Sequence, residues 1–256
     1  MWKAVEKAFN WADLPVELSR ADAALEPEFL RIYAACKEFT MTSRARMYAL
    51  YQATKFVVQA KIPGALAECG VWRGGSMMLV ARTLVALGAT DRTLYLYDTF
   101  EGMSRPSEHD VTLRGGHAAL PEWERHRRGL MDRLRKLFYR HWYEGGLEAV
   151  RQNLTSTGYP SDRIVFVPGK VEETLPGNGP ERLALLRLDT DWYESTKHEL
   201  ECLYPRLSPR GILIIDDYGY WAGAKQAVDE YFAGRTPQFL TRIDWTGRML
   251  SKTESA

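Results

Sequence analysis

The sequence has few of the features that mark several common classes of protein. Its three cysteines, Cys36, Cys69 and Cys202, show no CxxC or histidine-rich spacing, so neither a disulfide framework nor a zinc site is expected. No run approaches the ~18 uninterrupted apolar residues of a membrane-spanning helix, and the N-terminal residues lack the apolar core of a signal peptide. The formal net charge is only +1. These absences predict a soluble, unprocessed protein of the reducing cytoplasm, with neither nucleic acid nor membrane as partner.

A glycine-rich turn, ECGVWRGGS at residues 68–76, lacks both common phosphate-binding patterns. It has neither GxGxxG spacing nor a Lys-Ser or Lys-Thr pair after its last glycine, so no pyrophosphate cradle is expected. Its glycines still allow a ligand to approach the backbone closely. Glu68 would repel phosphates but could accept a hydrogen bond from an ammonium group. This preference suits a cationic amino-acid moiety such as that of S-adenosylmethionine.

The alternation of short apolar runs with helical periodicity predicts an α/β fold. The predicted strands span Ala65–Glu68, Thr93–Tyr97, Arg163–Val167, Leu183–Leu188 and Gly211–Ile215. Strands that alternate with helices indicate a doubly wound, mostly parallel sheet with right-handed crossovers. The tail QFLTRIDWTGRMLSK predicts two further strands about a DWTG turn, and thus a C-terminal antiparallel hairpin on a sheet of about seven strands.

Two segments stand outside this alternation. Residues 1–60 are predicted to form an N-terminal helical cap, with Thr42 or Ser43 as the N-cap of a helix that starts at Arg44. Residues 103–146 form an insert with an apolar helical face and many arginines opposite. An insert of this length predicts a helical lid or binding element. Its arginines could attract nucleic acid, but a solvated helix surface is the commoner explanation because the whole chain is nearly neutral.

Acidic side chains follow the last two predicted parallel strands. Asp189 and Asp191 follow the first of them, and Asp216 and Asp217 follow the second. Because ligands bind at the carboxyl ends of such strands, Asp189 is expected to face Asp216 and Asp217 across one crevice. Carboxylates at this separation repel one another, and a hard divalent cation, Mg²⁺ or Ca²⁺, relieves the repulsion. A helix cap explains a single Asp equally well, but two clusters at matching strand ends favour metal binding or catalysis.

Three further residues extend the predicted nucleotide site. Asp98 ends the second strand, where an α/β nucleotide site places an acid on the ribose hydroxyls, although a turn or cap is an alternative. Phe100 and Val171 follow the second and third strands. They could form apolar walls for an adenine ring, and either could equally belong to the core.

Five stretches occur in an order that resembles a known enzyme family. They are MTSRARMYAL, AECGVWRGGSM, YDTFEGM, GYPSDRIVFVPGKVEETLP and LRLDTDWYESTKHELECLYP…GILIIDDY, between roughly Met41 and Phe232. They resemble the macrocin and mycinamicin sugar O-methyltransferases, a family that includes the novobiocin sugar methyltransferase. The resemblance implies a class I methyltransferase domain over residues 61–256, with S-adenosylmethionine and Mg²⁺ as cofactors. It further implies a sugar or glycoside acceptor and a homo-oligomer.

The resemblance also implies roles for single residues. Asp189, Asp216 and Asp217 match the metal-binding acids, and Asp189 also matches the proposed general base. Asp191 matches neither role and is expected to be structural, as a cap of the helix that begins near Glu194. The residues expected to contact the cofactor are Thr42, Ser43, Glu68, Gly70, Gly75, Ser76, Asp98, Phe100 and Val171.

A histidine competes with Asp189 for the role of base, because an imidazole titrates near neutral pH. His141 and His117 both lie in the insert, and His141 is kept as a candidate catalytic helper. A sugar hydroxyl is almost wholly protonated at neutral pH, so both a metal ion and a carboxylate would assist its deprotonation. A catechol could chelate the same ion, which leaves a catechol-type O-methyltransferase as the alternative function. A non-catalytic module that binds S-adenosylmethionine or a sugar is the alternative from another class.

Overall fold

The computed structural model describes residues 25–127 and 146–253. His141, most of the insert's helical pattern and the first 24 residues of the predicted cap lie outside these ranges. In chain order the elements are α1 (Pro27–Cys36), α2 (Arg44–Gln59), β1 (Ala65–Cys69), α3 (Gly75–Ala86), β2 (Leu94–Asp98), α4 (Ala119–Arg127), α5 (Leu147–Thr155), β3 (Ile164–Pro168), α6 (Val171–Thr174), β4 (Leu183–Leu188), α7 (Tyr193–Leu203), β5 (Leu207–Ile215), α8 (Ala222–Phe232), β6 (Thr241–Arg242) and β7 (Arg248–Ser251).

The strands form one sheet in the order β3-β2-β1-β4-β5-β7-β6. Strands β1 to β5 are mutually parallel, whereas β7 runs antiparallel to β5 and β6 antiparallel to β7. The predicted α/β fold and its C-terminal antiparallel hairpin are therefore confirmed. The hairpin adds β7 and then β6 to the edge of the sheet beside β5.

The register of the central strands aligns their carboxyl ends. Cys69 pairs with Leu188, and Leu188 pairs with Ile215 on its other side. The residues that follow each of these three strands therefore emerge at the same level of the sheet. This level is where an α/β sheet binds its ligands.

Apolar residues of successive strand positions pack on opposite faces, as the two-residue period of a strand requires. One face carries Leu66, Leu185 and Ile214 in a single core with residues of α1, α2 and α3. The other face carries Ala67, Leu186 and Leu213 with residues of α7 and α8. Helices α1 and α2 thus share the main core, and a domain boundary at residue 60 stays a prediction.

Strand β5 begins four residues earlier than the sequence pattern predicts. The pairing with β4 shifts register between Leu183 and Leu185, and Arg210 has a positive φ of 64°. This irregularity accommodates residues 208–210 within the strand, although the sequence alone predicts a turn there. Within the described ranges, no helix has the length and apolar character needed to cross a membrane.

Candidate active site

The glycine turn after β1 packs tightly against its own chain. Gly70 has φ +83°, and a Cβ there would lie 2.0 Å from the Asp189 carbonyl oxygen. A Cβ on Gly75 would lie 2.6 Å from the backbone of Phe39. Ser76 is buried, and its hydroxyl lies 3.5 Å from that of Thr40. Glycine at these two positions is therefore required by close approach of the chain to itself, and the predicted cofactor contacts of this turn stay predictions.

Asp98 ties the end of β2 to this turn. Its Oδ2 accepts hydrogen bonds from the backbone N–H groups of Val71 at 2.6 Å and Trp72 at 2.9 Å. Its Oδ1 accepts from the backbone N–H of Phe100 at 2.7 Å. The turn interpretation accounts for these contacts directly. A ribose hydroxyl would have to share or replace one of them, so the ribose role stays a prediction.

The two proposed adenine walls lie in different packing clusters. Phe100 is buried and belongs to the core on the α2 and α3 face, with its ring centroid 6.3 Å from that of Phe166. Val171 is buried in the core on the α7 and α8 face. Their side chains therefore serve the core, and the wall function stays a prediction.

Arg187, which the sequence interpretation missed, lies at the centre of the site. It is on β4, is 2 % exposed, and donates to Glu68, to Asp189 at 2.8 Å and to Asp216 at 2.5 Å. It also donates to the Thr42 hydroxyl at 2.7 Å. One buried guanidinium thus joins the start of the glycine turn after β1 to the predicted metal acids. A signal was present, because a lone charged residue in an apolar strand is almost never buried unpaired.

Glu68 is already engaged by this guanidinium. Burial raises the pKa of the Glu68 carboxyl to about 8, while the charge of Arg187 acts in the opposite direction. Its second oxygen, Oε2, is buried and has no partner in the part of the chain that the structure describes. That oxygen is the one available to an ammonium group of a ligand.

A second arginine, Arg46 of α2, contacts the other oxygen of Asp216. It also contacts Asp244 at 3.1 Å, whose carboxylate accepts a hydrogen bond from the Ser43 hydroxyl at 2.6 Å. Ser43 is the N-cap of α2, as predicted, and its Oγ accepts from the backbone N–H of Arg46 at 3.2 Å. The Thr42 hydroxyl also accepts from Arg187. The segment at residues 42–46 therefore lies across the ends of β4 and β5. Its contact with the cofactor stays a prediction.

The three predicted metal ligands come together as the aligned strand ends require. Asp189, Asp216 and Asp217 each offer a carboxylate oxygen within 4.8 Å of the others. Oδ2 of Asp217 is buried without a hydrogen-bond partner in residues 25–127 or 146–253. Oxygen donors alone, one of them unsatisfied, fit a hard divalent cation. The two arginines on Asp216 supply positive charge at the same acids.

Asp191 is part of this cluster rather than a helix cap. It has φ +67° and its Oδ1 accepts from the Trp221 indole N–H at 2.8 Å, while the backbone N–H of Trp221 donates to the Asp217 carbonyl at 3.1 Å. Burial raises the pKa of Asp191 to about 7, with a further contribution from the charge of Asp189. Burial, with repulsion by Asp191, also raises the pKa of Asp217. Burial and mutual repulsion thus favour the protonated forms of these two carboxyls.

The predicted cap role of Asp191 is wrong because another acid takes that position. Helix α7 begins at Tyr193, and its N-cap, Trp192, makes no side-chain cap bond. The Tyr193 N–H instead donates to Oδ1 of Asp110 at 2.8 Å. Asp110 is a fully buried residue of the insert, and a Cβ on Gly223 would lie 2.2 Å from the same oxygen. The described start of the insert is thereby fixed against α7 and α8.

Replacing Asp191 by asparagine is expected to remove one pH dependence of stability. The folded-state pKa of Asp191 is raised, so its contribution to stability is present below pH ~4 and is lost as the pH rises towards about 7. Asparagine does not titrate, so the variant should show a flatter decline over this window. Urea unfolding of the metal-free protein between pH 4 and pH 8 measures the difference. Equal pH profiles for the two proteins would contradict the raised pKa.

Comparison with known proteins identifies the family. Residues 34–252 match the family model of the macrocin O-methyltransferases (TylF). The chain is 38 % identical over 214 residues to the 8-demethyl-8-(2,3-dimethoxy-α-L-rhamnosyl)-tetracenomycin-C 4′-O-methyltransferase of Streptomyces olivaceus, a match that covers 81 % of this chain and 73 % of that protein. It is 34 % identical to the demethyldecarbamoylnovobiocin O-methyltransferase of Streptomyces niveus, over 76 % of this chain and 68 % of that protein.

A solved structure agrees with this match. The O-methyltransferase NovP superposes with a TM-score of 0.69 at 32 % identity, over 84 % of this chain and 83 % of that one. The family model covers far more than half of the chain, and the relatives exceed 30 % identity over most of its length. The chain therefore belongs to the macrocin O-methyltransferase family and is an S-adenosylmethionine-dependent O-methyltransferase.

Proposed function

We propose that this enzyme transfers a methyl group from S-adenosylmethionine to a sugar hydroxyl of a glycosylated natural product or glycan, with Mg²⁺ at the acid cluster. The observation that carries the proposal is the triad of Asp189, Asp216 and Asp217 beside the glycine turn after β1. One oxygen of Asp217 is buried and has no partner among the described residues. The names of two relatives support a sugar acceptor. One methylates a rhamnosyl tetracenomycin at its 4′ oxygen, and a 33 % identical relative of Micromonospora griseorubida methylates mycinamicin III at its 3″ oxygen.

The three acids have different access to a substrate. The side chain of Asp189 is 26 % exposed, whereas that of Asp216 is 4 % exposed and accepts from two guanidinium groups. Asp189 is therefore more accessible to an acceptor hydroxyl than Asp216 is, which suits a proton acceptor. When bound, Mg²⁺ would stabilise the deprotonated form of a hydroxyl, and Asp189, Asp216 and Asp217 would hold the ion.

Asp191 is a second candidate for the proton acceptor. Its pKa of about 7 is near the pH at which such a group must both accept and release a proton. It follows Asp189 by two residues in sequence, and its Oδ1 accepts from the Trp221 indole N–H at 2.8 Å. Asparagine replacements at Asp189 and Asp191, compared by their pH–rate profiles, distinguish the two. The residue whose loss removes the acid limb of the profile is the base.

Arg46 and Arg187 hold the carboxylates of the site in position before any cofactor binds. Arg187 contacts acids from β1, β4 and the end of β5, so it fixes the relative positions of three strand ends. Methyl transfer is an in-line displacement, and its rate depends on the alignment of donor and acceptor. Bound S-adenosylmethionine supplies the electrophilic methyl group. The chain supplies the alignment through this pre-formed network.

Calorimetry and an activity screen test the proposed function together. The protein is expected to bind S-adenosylmethionine. It is also expected to transfer a labelled methyl group to deoxysugar glycosides, in a reaction that depends on added Mg²⁺. A screen that includes catechols and RNA identifies the competing acceptors directly. Transfer to catechols alone would establish the alternative enzyme, and binding without transfer to any acceptor would indicate a non-catalytic module. Failure to bind S-adenosylmethionine with or without Mg²⁺ would end the methyltransferase proposal.

The helper role of His141, the homo-oligomer and the cytoplasmic location stay predictions. A His141→Ala variant with an unchanged rate would remove that residue from the mechanism. Size-exclusion chromatography with light scattering measures the oligomeric state.

A further inference from the structure

An aromatic surface next to the acid cluster has no role in the assignments above. It consists of Tyr220, in the loop after β5, and Trp245, in the turn between β6 and β7. Their ring centroids are 5.6 Å apart, and the rings are nearly perpendicular at 70°. Trp245 is 43 % exposed and Tyr220 is partly buried. Large aromatic side chains usually bury most of their surface in a fold, so an exposed tryptophan in this position needs an explanation.

The surface is continuous with the acids. Tyr220 packs edge to face against Trp221, at 4.9 Å between centroids, and the indole N–H of Trp221 donates to Asp191. Burial raises the pKa of the Tyr220 phenol, and the charges of Asp191 and Asp217 raise it further. The backbone N–H groups of Tyr220 and Trp221 donate to the Asp217 carbonyl at 2.9 and 3.1 Å, so the loop that carries Tyr220 is joined directly to the acid cluster.

The turn that presents Trp245 is held in one conformation. The carboxylate of Asp244 accepts from the backbone N–H groups of Thr246 at 2.9 Å and Gly247 at 2.7 Å. The N–H of Gly219 donates to the Thr246 carbonyl at 2.9 Å, and a Cβ on Gly219 would lie 2.1 Å from the Trp245 carbonyl oxygen. The loop of Tyr220 and the turn of Trp245 are thus locked together. A rigid aromatic surface binds a ligand with little loss of conformational entropy.

We propose that Tyr220 and Trp245 form an acceptor subsite, on which the C–H face of the methylated sugar ring stacks. A sugar ring has an apolar face of C–H groups and a polar edge of hydroxyls. The site divides in the same way, with aromatic rings at one side and carboxylates at the other. With the C–H face on Trp245, the hydroxyl edge of the ring would face the carboxylates. This inference rests on the proposed function and specifies how that function selects its acceptor.

Trp245 variants test the subsite with a deoxysugar glycoside as the acceptor probe. Trp245→Ala is expected to raise the KM for the glycoside about tenfold, the effect of losing roughly 1.4 kcal/mol of contact. The kcat should change little, because Trp245 touches none of the acids. The Kd for S-adenosylmethionine, measured by calorimetry, should be unchanged. Trp245→Phe should recover most of the acceptor affinity because it keeps an aromatic face.

Two controls separate stacking from other effects. Trp245→Leu keeps an apolar side chain but has no aromatic face, so its acceptor KM should rise as much as that of Trp245→Ala. The leucine variant also serves as the test if the alanine variant does not fold. Phe239→Ala removes an 85 % exposed aromatic from the same hairpin region and should leave the acceptor KM unchanged. Thermal unfolding of each variant confirms that it is folded.

The outcomes distinguish this inference from the proposed function. If wild-type protein methylates the glycoside and the Trp245→Ala and Trp245→Leu variants keep its KM within about twofold, the subsite is refuted and the proposed function stands. If the wild-type protein neither binds nor methylates any glycoside, both are refuted. A tenfold rise confined to the acceptor KM supports both.

Discussion

Replacing Arg187 by methionine is expected to lower the free energy of unfolding by about 3–5 kcal/mol, the range for breaking a buried ion pair by removal of one partner. The guanidinium is 2 % exposed, and its loss leaves Glu68, Asp189 and Asp216 without their shared counter-charge. Urea unfolding followed by circular dichroism measures the change. The stability of Arg187→Lys should fall between that of the wild type and that of Arg187→Met. Lysine keeps the positive charge, but a single ammonium cannot bridge three acids from different strands.

The Arg187→Met experiment is more specific when it is repeated at two pH values and compared with the replacement of an exposed arginine. The charge of Arg187 lowers the pKa of Glu68 and of Asp217, so its removal raises both pKa values further, and the loss of stability should be greater at pH 9 than at pH 6. Arg31→Met is the control, because Arg31 is an exposed arginine whose ion pair with Glu28 is also exposed. A change within about 0.5 kcal/mol is expected there. An Arg187→Met protein as stable as the Arg31→Met protein would show that the acids do not depend on the guanidinium.

Replacing Asp217 by asparagine is expected to lower kcat/KM by about 10²–10⁴ while leaving S-adenosylmethionine affinity unchanged. This range is typical of lost assistance to deprotonation of the acceptor, and it is expected here because the variant weakens the oxygen set that would hold Mg²⁺. Asp217 is preferable to Asp216 for this experiment. Both oxygens of Asp216 accept from arginines, so its replacement would disturb the network as well as the chemistry. Initial rates over a Mg²⁺ titration, with calorimetry for the cofactor, give both quantities.

Asp229→Asn provides the matched acid control. Asp229 is an exposed carboxylate of α8 that pairs with Lys225 one turn away. Its replacement should leave the rate and the Mg²⁺ response within twofold of wild type. An Asp217→Asn enzyme with the same rate and Mg²⁺ response as the Asp229→Asn enzyme would remove Asp217 from the metal set.

The sequence predicted the elements of the fold because local patterns decide them. Leu183–Leu188 is apolar except for Arg187, and the structure has a strand over the same residues. The convergence of Asp189 with Asp216 followed from one further rule, the shared polarity of parallel strand ends. That rule required only the correct order of strands and helices, which the glycine and proline boundaries supply.

The partners of these acids could not be predicted in the same way. Arg46 and Asp216 are separated by 170 residues, and Asp110 and Tyr193 by 83. Contacts at such separation depend on three-dimensional packing that no local pattern encodes. Asp191 was misinterpreted for this reason, because its neighbours suggest a cap while a distant residue of the insert occupies the cap position. Arg187 is the exception, since its isolation among leucines already demanded buried partners.

The hairpin of β6 and β7 has a consequence for biosynthesis. Asp244, in its turn, holds Ser43 and Arg46, and β7 pairs with β5. The ribosome makes residues 42–46 some two hundred positions before Asp244, so this part of the network stays open on the growing chain. Asp216, the other acid that Arg46 contacts, is made before the hairpin, whereas the contacts of Ser43 and Arg46 with Asp244 can form only after the hairpin turn has been made. Closure of the 42–46 segment over the strand ends is therefore a late step in the formation of this site.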